Sequence, residues 1–267
     1  KAIRRQRQMC IRDSYQMRPE FTRIVASAGW SYKWGVQQQR SQHRIDLLDI
    51  NYLYMPSIDQ TFKEDYLEKD ENYILKYNYE DRFIVRTGYS YIYNSAGRAL
   101  MNNSGIGNSY TIRLNFESAG NLLYAVAKLG GMKKNASGEY TLLNIPFAQY
   151  LKGDFDFAKN LVIDNRNSLA FHFGAGIAIP YGNATMLPFE KRYFSGGANS
   201  VRGWSVRDLG PGSFPGDNNF MNQSGDIKLD ASIEYRSKLF WKFQGAAFID
   251  AGNIWTCLLY TSPSPRD

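Results

Sequence analysis

The chain has 267 residues, is 43% hydrophobic and 15% aromatic, and carries a formal net charge of +7. That length admits one large β domain or two ordinary ones, and the composition is too apolar and too aromatic for a disordered chain. No run of about 18 apolar residues offers a transmembrane helix or a secretory signal, and two His with two Cys argue against a His/Cys metal site.

In chain order, the first stretch does not read as part of a fold. Arg4-Arg5-Gln6-Arg7-Gln8-Met9-Cys10-Ile11-Arg12-Asp13-Ser14 resembles the read-through translation of a transposon-type sequencing adapter. At the other end, Cys257-Leu258-Leu259-Tyr260-Thr261-Ser262-Pro263-Ser264-Pro265-Arg266-Asp267 resembles the opposite adapter. Setting 1–14 and 257–267 aside as scars leaves 15–256 as the native insert, an internal fragment of something longer. The first scar carries five Lys/Arg and one Asp and the second is neutral, so the insert is +3. A nucleic-acid partner argued from the basic balance is therefore not expected. Cys10 and Cys257 both fall in the scars, which leaves the insert without a disulfide framework or thiol chemistry.

Within the insert, period-two alternation dominates. Residues 21–35 put Thr22, Ile24, Ala26, Ala28, Trp30, Tyr32 and Trp34 on one face. Residues 82–94 set Phe83, Val85, Tyr89, Tyr91 and Tyr93 against Arg86, Gly88, Ser90 and Asn94. Residues 109–118 set Tyr110, Ile112, Leu114 and Phe116 against Thr111, Arg113, Asn115 and Glu117. Residues 167–179 alternate Leu169, Phe171, Phe173, Ala175 and Ile177 with Ala170, His172, Gly174 and Gly176. The most regular segment, 226–237, opposes Ile227, Leu229, Ala231, Ile233 and Tyr235 to Lys228, Asp230, Ser232, Glu234 and Arg236. Segments 43–55, 140–157 and 241–253 read as strands less regularly. Two segments in the connections, 58–70 and 119–129, have the composition of short helices.

These eight strands are mostly longer than the ~5–6 residues usual in a soluble sheet and match the ~9–11 needed to cross a bilayer. Their connections alternate short and long, with 56–81, 119–139 and 180–225 long. An outer-membrane barrel alternates short periplasmic turns with long external loops in this way, its apolar parity facing lipid and its polar parity a wet lumen. The sequence therefore predicts an all-β protein, a transmembrane antiparallel β-barrel. Trp30, Trp34, Tyr91, Tyr93, Trp241 and Trp255 read as interface anchors or packing aromatics.

The last long connection contains Glu190-Lys191-Arg192-Tyr193-Phe194-Ser195-Gly196-Gly197-Ala198-Asn199-Ser200-Val201-Arg202-Gly203-Trp204. This resembles the motif loop of the BamA/TamA superfamily of outer-membrane assembly and translocation barrels, whose core is Val/Ile-Arg-Gly-aromatic, here Val201, Arg202, Gly203 and Trp204. Ser232-Ile233-Glu234-Tyr235-Arg236 is similar to the family's next strand, and Phe248-Ile249-Asp250-Ala251-Gly252 to the Phe-x-Asp-x-Gly of the one after. The tyrosine-rich style resembles members from Bacteroidota.

The resemblance implies a 16-stranded barrel, of which this insert holds about eight strands, with 180–225 folding back into the lumen. It implies that Arg202 meets Glu234 and Asp250, and that the loop glycines Gly196, Gly197 and Gly252, with Gly203, let backbone approach the wall. It also implies that the whole protein inserts or translocates proteins at the bacterial outer membrane. Its partners would be unfolded outer-membrane clients, the lipid bilayer, and periplasmic or lipoprotein partners reached through POTRA domains outside this fragment. No catalytic residue, metal or cofactor is implied. The alternatives are a dedicated secretion pore of the two-partner type and the anchoring barrel of a surface hydrolase.

The residues agree with the implied lock on their own terms. Glu234 lies on the polar parity, and a planar guanidinium binds carboxylates bidentately while staying charged. Other chemistries find less support. The Gly196–Gly203 stretch lacks the following Lys-Ser/Thr of a phosphate cradle, His172 reads as lumen-lining, His43 reads as solvated beside a turn, and no nucleophile–base pair can be assembled from two histidines.

Overall fold

A computed structural model describes residues 5–19, 21–36, 40–64, 79–96, 107–135, 138–213 and 223–256. Its strands are β1 (Arg5–Met17), β2 (Phe21–Val36), β3 (Ser41–Ile58), β4 (Arg82–Asn94), β5 (Ser109–Ala119), β6 (Thr141–Leu142), β7 (Ile145–Pro146), β8 (Tyr150–Val162), β9 (Asn167–Pro180), β10 (Ile227–Lys238) and β11 (Gln244–Trp255). Nine of them form one antiparallel sheet in the order β1-β2-β3-β4-β5-β8-β9-β10-β11, with β1 and β11 as its edges, so the sheet is not closed. β6 and β7 form a separate two-stranded sheet. No helix among the described residues is long and apolar enough to cross a membrane.

The alternation sorts side chains as expected for a barrel wall. Phe116, Ile233 and Phe173 are 54%, 47% and 43% exposed on one face, where lipid rather than water would meet them. The same face carries an aromatic band near the ends of β2–β5: the rings of Trp34 and His43 stack at 5.2 Å, and those of Tyr93 and Tyr110 lie 5.5 Å apart. His43 is thus not solvated beside a turn. It lies within β3, between Trp34 and Tyr91, and hydrogen-bonds the Tyr89 hydroxyl at 2.8 Å.

Three departures from the sequence reading have local causes. Segment 43–55 alternates poorly because β3 carries a bulge between Asp46 and Asp49 where it pairs with β4. The bulge puts both aspartates on the inner face despite their odd spacing. Segment 140–157 is not one strand: Leu143 and Asn144 adopt positive φ and turn the chain into the β6–β7 hairpin, and β8 begins only at Tyr150. Trp241 sits outside β11, in the turn 239–243, with φ of 52°. The helix expected in 119–129 runs Asn121–Leu129. In 58–70, the described part forms one short helix, Gln60–Phe62; residues 65–70 lie outside the described residues, as do 214–222 and 257–267.

The strand ends joined through 59–81, 120–149 and 181–226 lie at one end of the sheet, and those joined through 37–40, 95–108, 163–166 and 239–243 at the other. The link 18–20 is short at the end where its neighbours are long. It joins β2 to β1, an edge strand built largely from the stretch read as adapter-derived. At the long-loop end a small apolar cluster fills the inner face: Ile84, Ala119, Ala148, Tyr150, Ala178 and Leu187, flanked by Tyr193. Leu187 belongs to the loop 181–226, so this core fastens the loop to the wall. Burial of a leucine side chain contributes roughly 1.5–3 kcal/mol.

Candidate functional site: the loop across the inner face

Arg202 meets the two carboxylates that the resemblance implies for it. Its Nε donates to Asp250 Oδ2 at 2.7 Å, its Nη2 to Asp250 Oδ1 at 2.7 Å, and its backbone N–H to Asp250 Oδ2 at 3.0 Å, while Nη1 donates to Glu234. The register explains how one cation reaches both. Ser232 pairs with Asp250 and Glu234 with Phe248, so Glu234, Phe248 and Asp250 share the inner face of β10 and β11. The Asp250 side chain is only 2% exposed, and the bidentate fork supplies the charge-assisted hydrogen bonds that a carboxylate shut away from water needs. Those bonds, first the ones donated to Asp250 and then the one to Glu234, hold the guanidinium pKa above its ordinary value, so Arg202 stays charged.

Around Arg202 the motif divides by role. Val201 is buried, whereas Trp204 is half exposed; it is the Trp204 carbonyl that holds the loop, accepting the Gly197 N–H at 2.9 Å. Gly196 has φ of +98°, and a Cβ there would come within 2.2 Å of the Ser205 carbonyl. Glycine is required at that crossing. Gly252, grouped in the sequence reading with the loop glycines, lies instead in β11. A Cβ on it would fall 2.8 Å from the Leu229 carbonyl and 3.0 Å from Val201 Cγ2, so it is the notch in the wall that receives the loop.

Several contacts were not anticipated from the sequence. The guanidinium carbon of Arg202 lies 3.6 Å from the centroid of the Phe248 ring, a cation–π platform. Upstream in the loop, Glu190 pairs with Arg23 of β2, and Lys191 Nζ lies 2.6 Å from Glu117 Oε1 of β5. Lys152 of β8 donates to the Lys191 carbonyl at 3.0 Å. Tyr193 donates to Asp154 of β8 and fills the space that a side chain on Gly176 of β9 would occupy. Burial and that hydrogen bond push the Tyr193 phenol well above its ordinary pKa. Glu117 also accepts from Tyr150 and from Arg86, at 2.6 Å for Arg86 Nη1, and Arg86 reaches Asp49 across the β3 bulge. The available signal was the row of charges on the inward parity of β4 and β5. What was missing was the loop residue that meets them.

His172 does line the inner face. Its Nε2 is 2.7 Å from Asp156 and its Nδ1 3.4 Å from Asp230, with Lys228 3.2 Å from the same Asp230. Asp156, Asp230 and Lys228, with the His172 ring between the two aspartates, thus line this part of the inner wall. Among the described residues, no group of three or more His, Cys, Asp or Glu is placed to hold a metal ion.

The sequence profile of the Omp85 superfamily domain matches residues 5–266. Among curated proteins, the outer membrane protein assembly factor BamA of Neisseria meningitidis serogroup B is 31% identical over 98 residues, covering 33% of this chain and 12% of that protein. Among solved structures, the crystal structure of BamA from Haemophilus ducreyi lacking POTRA domains 1–3 superposes with a TM-score of 0.60 at 14% identity, covering 95% of this chain and 47% of that one. The chain therefore spans about half of the solved relative and a small part of the curated one, and the structural likeness speaks to fold alone.

Proposed function

This chain belongs to the Omp85 superfamily, and from that premise we propose that the protein it comes from folds or inserts client proteins into the bacterial outer membrane. Members of the superfamily are β-barrel proteins of that membrane, and protein insertion or translocation there is the family's role. Client insertion by such a barrel needs no covalent chemistry. It needs a wall that holds its shape while backbone hydrogen bonds are offered to an incoming strand and exchanged.

The observation that carries this reading is the three-way contact of Arg202 with Asp250, Glu234 and Phe248. It ties a loop that crosses the inner face to two adjacent strands, and so braces β10 against β11 from within. A lysine at this position would provide one point charge where the geometry uses a planar fork.

The test uses the full-length protein. Its depletion should lower many outer-membrane barrel proteins at once, measured by quantitative proteomics of outer membranes. A copy carrying Arg202→Ala should fold yet fail to restore them. Loss of a single secreted partner would replace this reading with a dedicated secretion pore. Sequencing the source DNA through both ends gives a second readout. POTRA-like repeats upstream agree with the proposal, and a hydrolase domain there makes the barrel an anchor.

A further inference from the structure

We propose that Glu190–Tyr193 forms a second dock of the loop, independent of Arg202, in which Lys191 is the positioning residue and Glu117 its seat. The inference deepens the assembly reading above and rests on it for its biological purpose, but its geometry stands alone. Going along the loop, the contacts meet the wall nearly strand by strand: Glu190 on β2, Lys191 on β5, its carbonyl on β8, Tyr193 on β8 and β9, then Arg202 on β10 and β11. A loop with one anchor would swing about it. A loop held at both ends spans the inner face as a strap and fixes how far the strands between the anchors can splay.

The seat at Glu117 is made of strand side chains alone. Arg86 is held between Asp49 and Glu117, and Tyr150, buried in the apolar cluster, holds the other oxygen of Glu117. Lys191 therefore completes a network rather than creating one. Removing its charge leaves Glu117 still paired with Arg86 and Tyr150, so the wall should survive while the loop loosens. Tyr193 adds shape to charge. It occupies the groove above Gly176, where a Cβ would stand 2.6 Å from its ring, and Lys152 lies 4.0 Å from its ring centroid.

Ser195 lies between the two docks and is 1% exposed. Only Cys10 and Cys257 precede and follow it as thiols in this chain. A Ser195→Cys reporter in the full-length protein, with those two cysteines replaced if present, can be labelled in isolated outer membranes by a hydrophilic maleimide. Lys191→Met is expected to raise the labelling rate roughly fivefold by raising the population of the undocked loop. Lys191→Arg, which keeps the charge, should stay within about twofold. The pair Lys191→Met with Arg202→Ala should exceed both single changes. Heat-modifiable migration of the barrel on gels reports folding in each case. Should Lys191→Met not fold, Tyr193→Phe decides, since it removes only the hydroxyl on Asp154; it too should speed labelling. Labelling at the wild-type rate in the folded Lys191→Met protein, or in Tyr193→Phe where that variant decides, overturns the second dock. Because labelling is read separately from client levels, a failure of this inference leaves the assembly reading intact, and the reverse also holds.

Discussion

Arg202 stacks on Phe248 while it hydrogen-bonds Asp250, two residues along the same strand. One side chain of β11 therefore supports the face of the guanidinium and another grips its edge. The ring excludes water from one side of the ion pair and fixes the plane in which the fork must lie. Phe248→Leu keeps an apolar contact but loses the ring quadrupole, and it should speed labelling of the Ser195→Cys reporter by roughly threefold. Arg202→Lys should speed it more than that, and Arg202→Ala most, because Asp250 is then left without its cation in a site shut off from water. Equal rates for Phe248→Leu and wild type would mean that the ring is only a spacer.

The wall is shaped to accept the loop at two glycines, and each gives a packing prediction. Gly252→Ala would drive a methyl into the Leu229 carbonyl and Val201, and Gly176→Ala would drive one into Tyr193. Overpacking of this kind costs about 1–3 kcal/mol. Both variants should lower the urea midpoint of the refolded full-length barrel, with Gly252→Ala also weakening the Arg202 lock because Val201 precedes Arg202 in the loop. The control is Gly153→Ala, a strand glycine with nothing within 4 Å of the added atom; it should leave the midpoint unmoved. Three equal midpoints would show that the loop does not press on the wall.

These two sites also show what sequence alone could and could not reveal. Glu234 was legible because β10 alternates without a break, so its parity fixes its face. Asp250 followed from the motif, and the register confirms both on the inner side. Phe248 stands in the same motif, but its use as a platform depends on where the guanidinium plane comes to rest, which no pattern along one strand encodes. Lys191 was equally visible and equally silent. Its seat, Glu117, lies on a strand formed much earlier in the chain, and the seat is built only because the bulge in β3 turns Asp49 inward toward Arg86. A bulge breaks the very periodicity by which a strand is recognised, so the irregular segment 43–55 hid a structural reason rather than a weak strand. The hairpin at Leu143–Asn144 was hidden for a related cause: residues in the left-handed region interrupted what reads as alternation.

The turn 239–243 yields the last prediction. Leu239, Phe240, Trp241 and Phe243 are all exposed, Trp241 at 86%, and Lys238 and Lys242 flank them. A turn in water would favour polar residues. Large amphipathic rings beside lysines are instead the pattern of the bilayer interface, where the ring lies among the acyl carbonyls and the ammonium reaches the phosphates. The turn sits at the short-link end of the sheet, the periplasmic end if long loops face outward. In vesicles of brominated phospholipid, the part of the fluorescence lost on changing Trp241→Phe should be quenched more by bromines high on the acyl chain than by bromines near its terminus. Trp30, Trp34, Trp204 and Trp255 remain as background, which the subtraction removes. Adding anionic phospholipid should deepen the quenching, and Lys242→Gln should remove that increment. Quenching that ignores bromine depth, or none at all, would place the turn in water or against another protein, and its exposed rings would then mark a contact for a periplasmic partner.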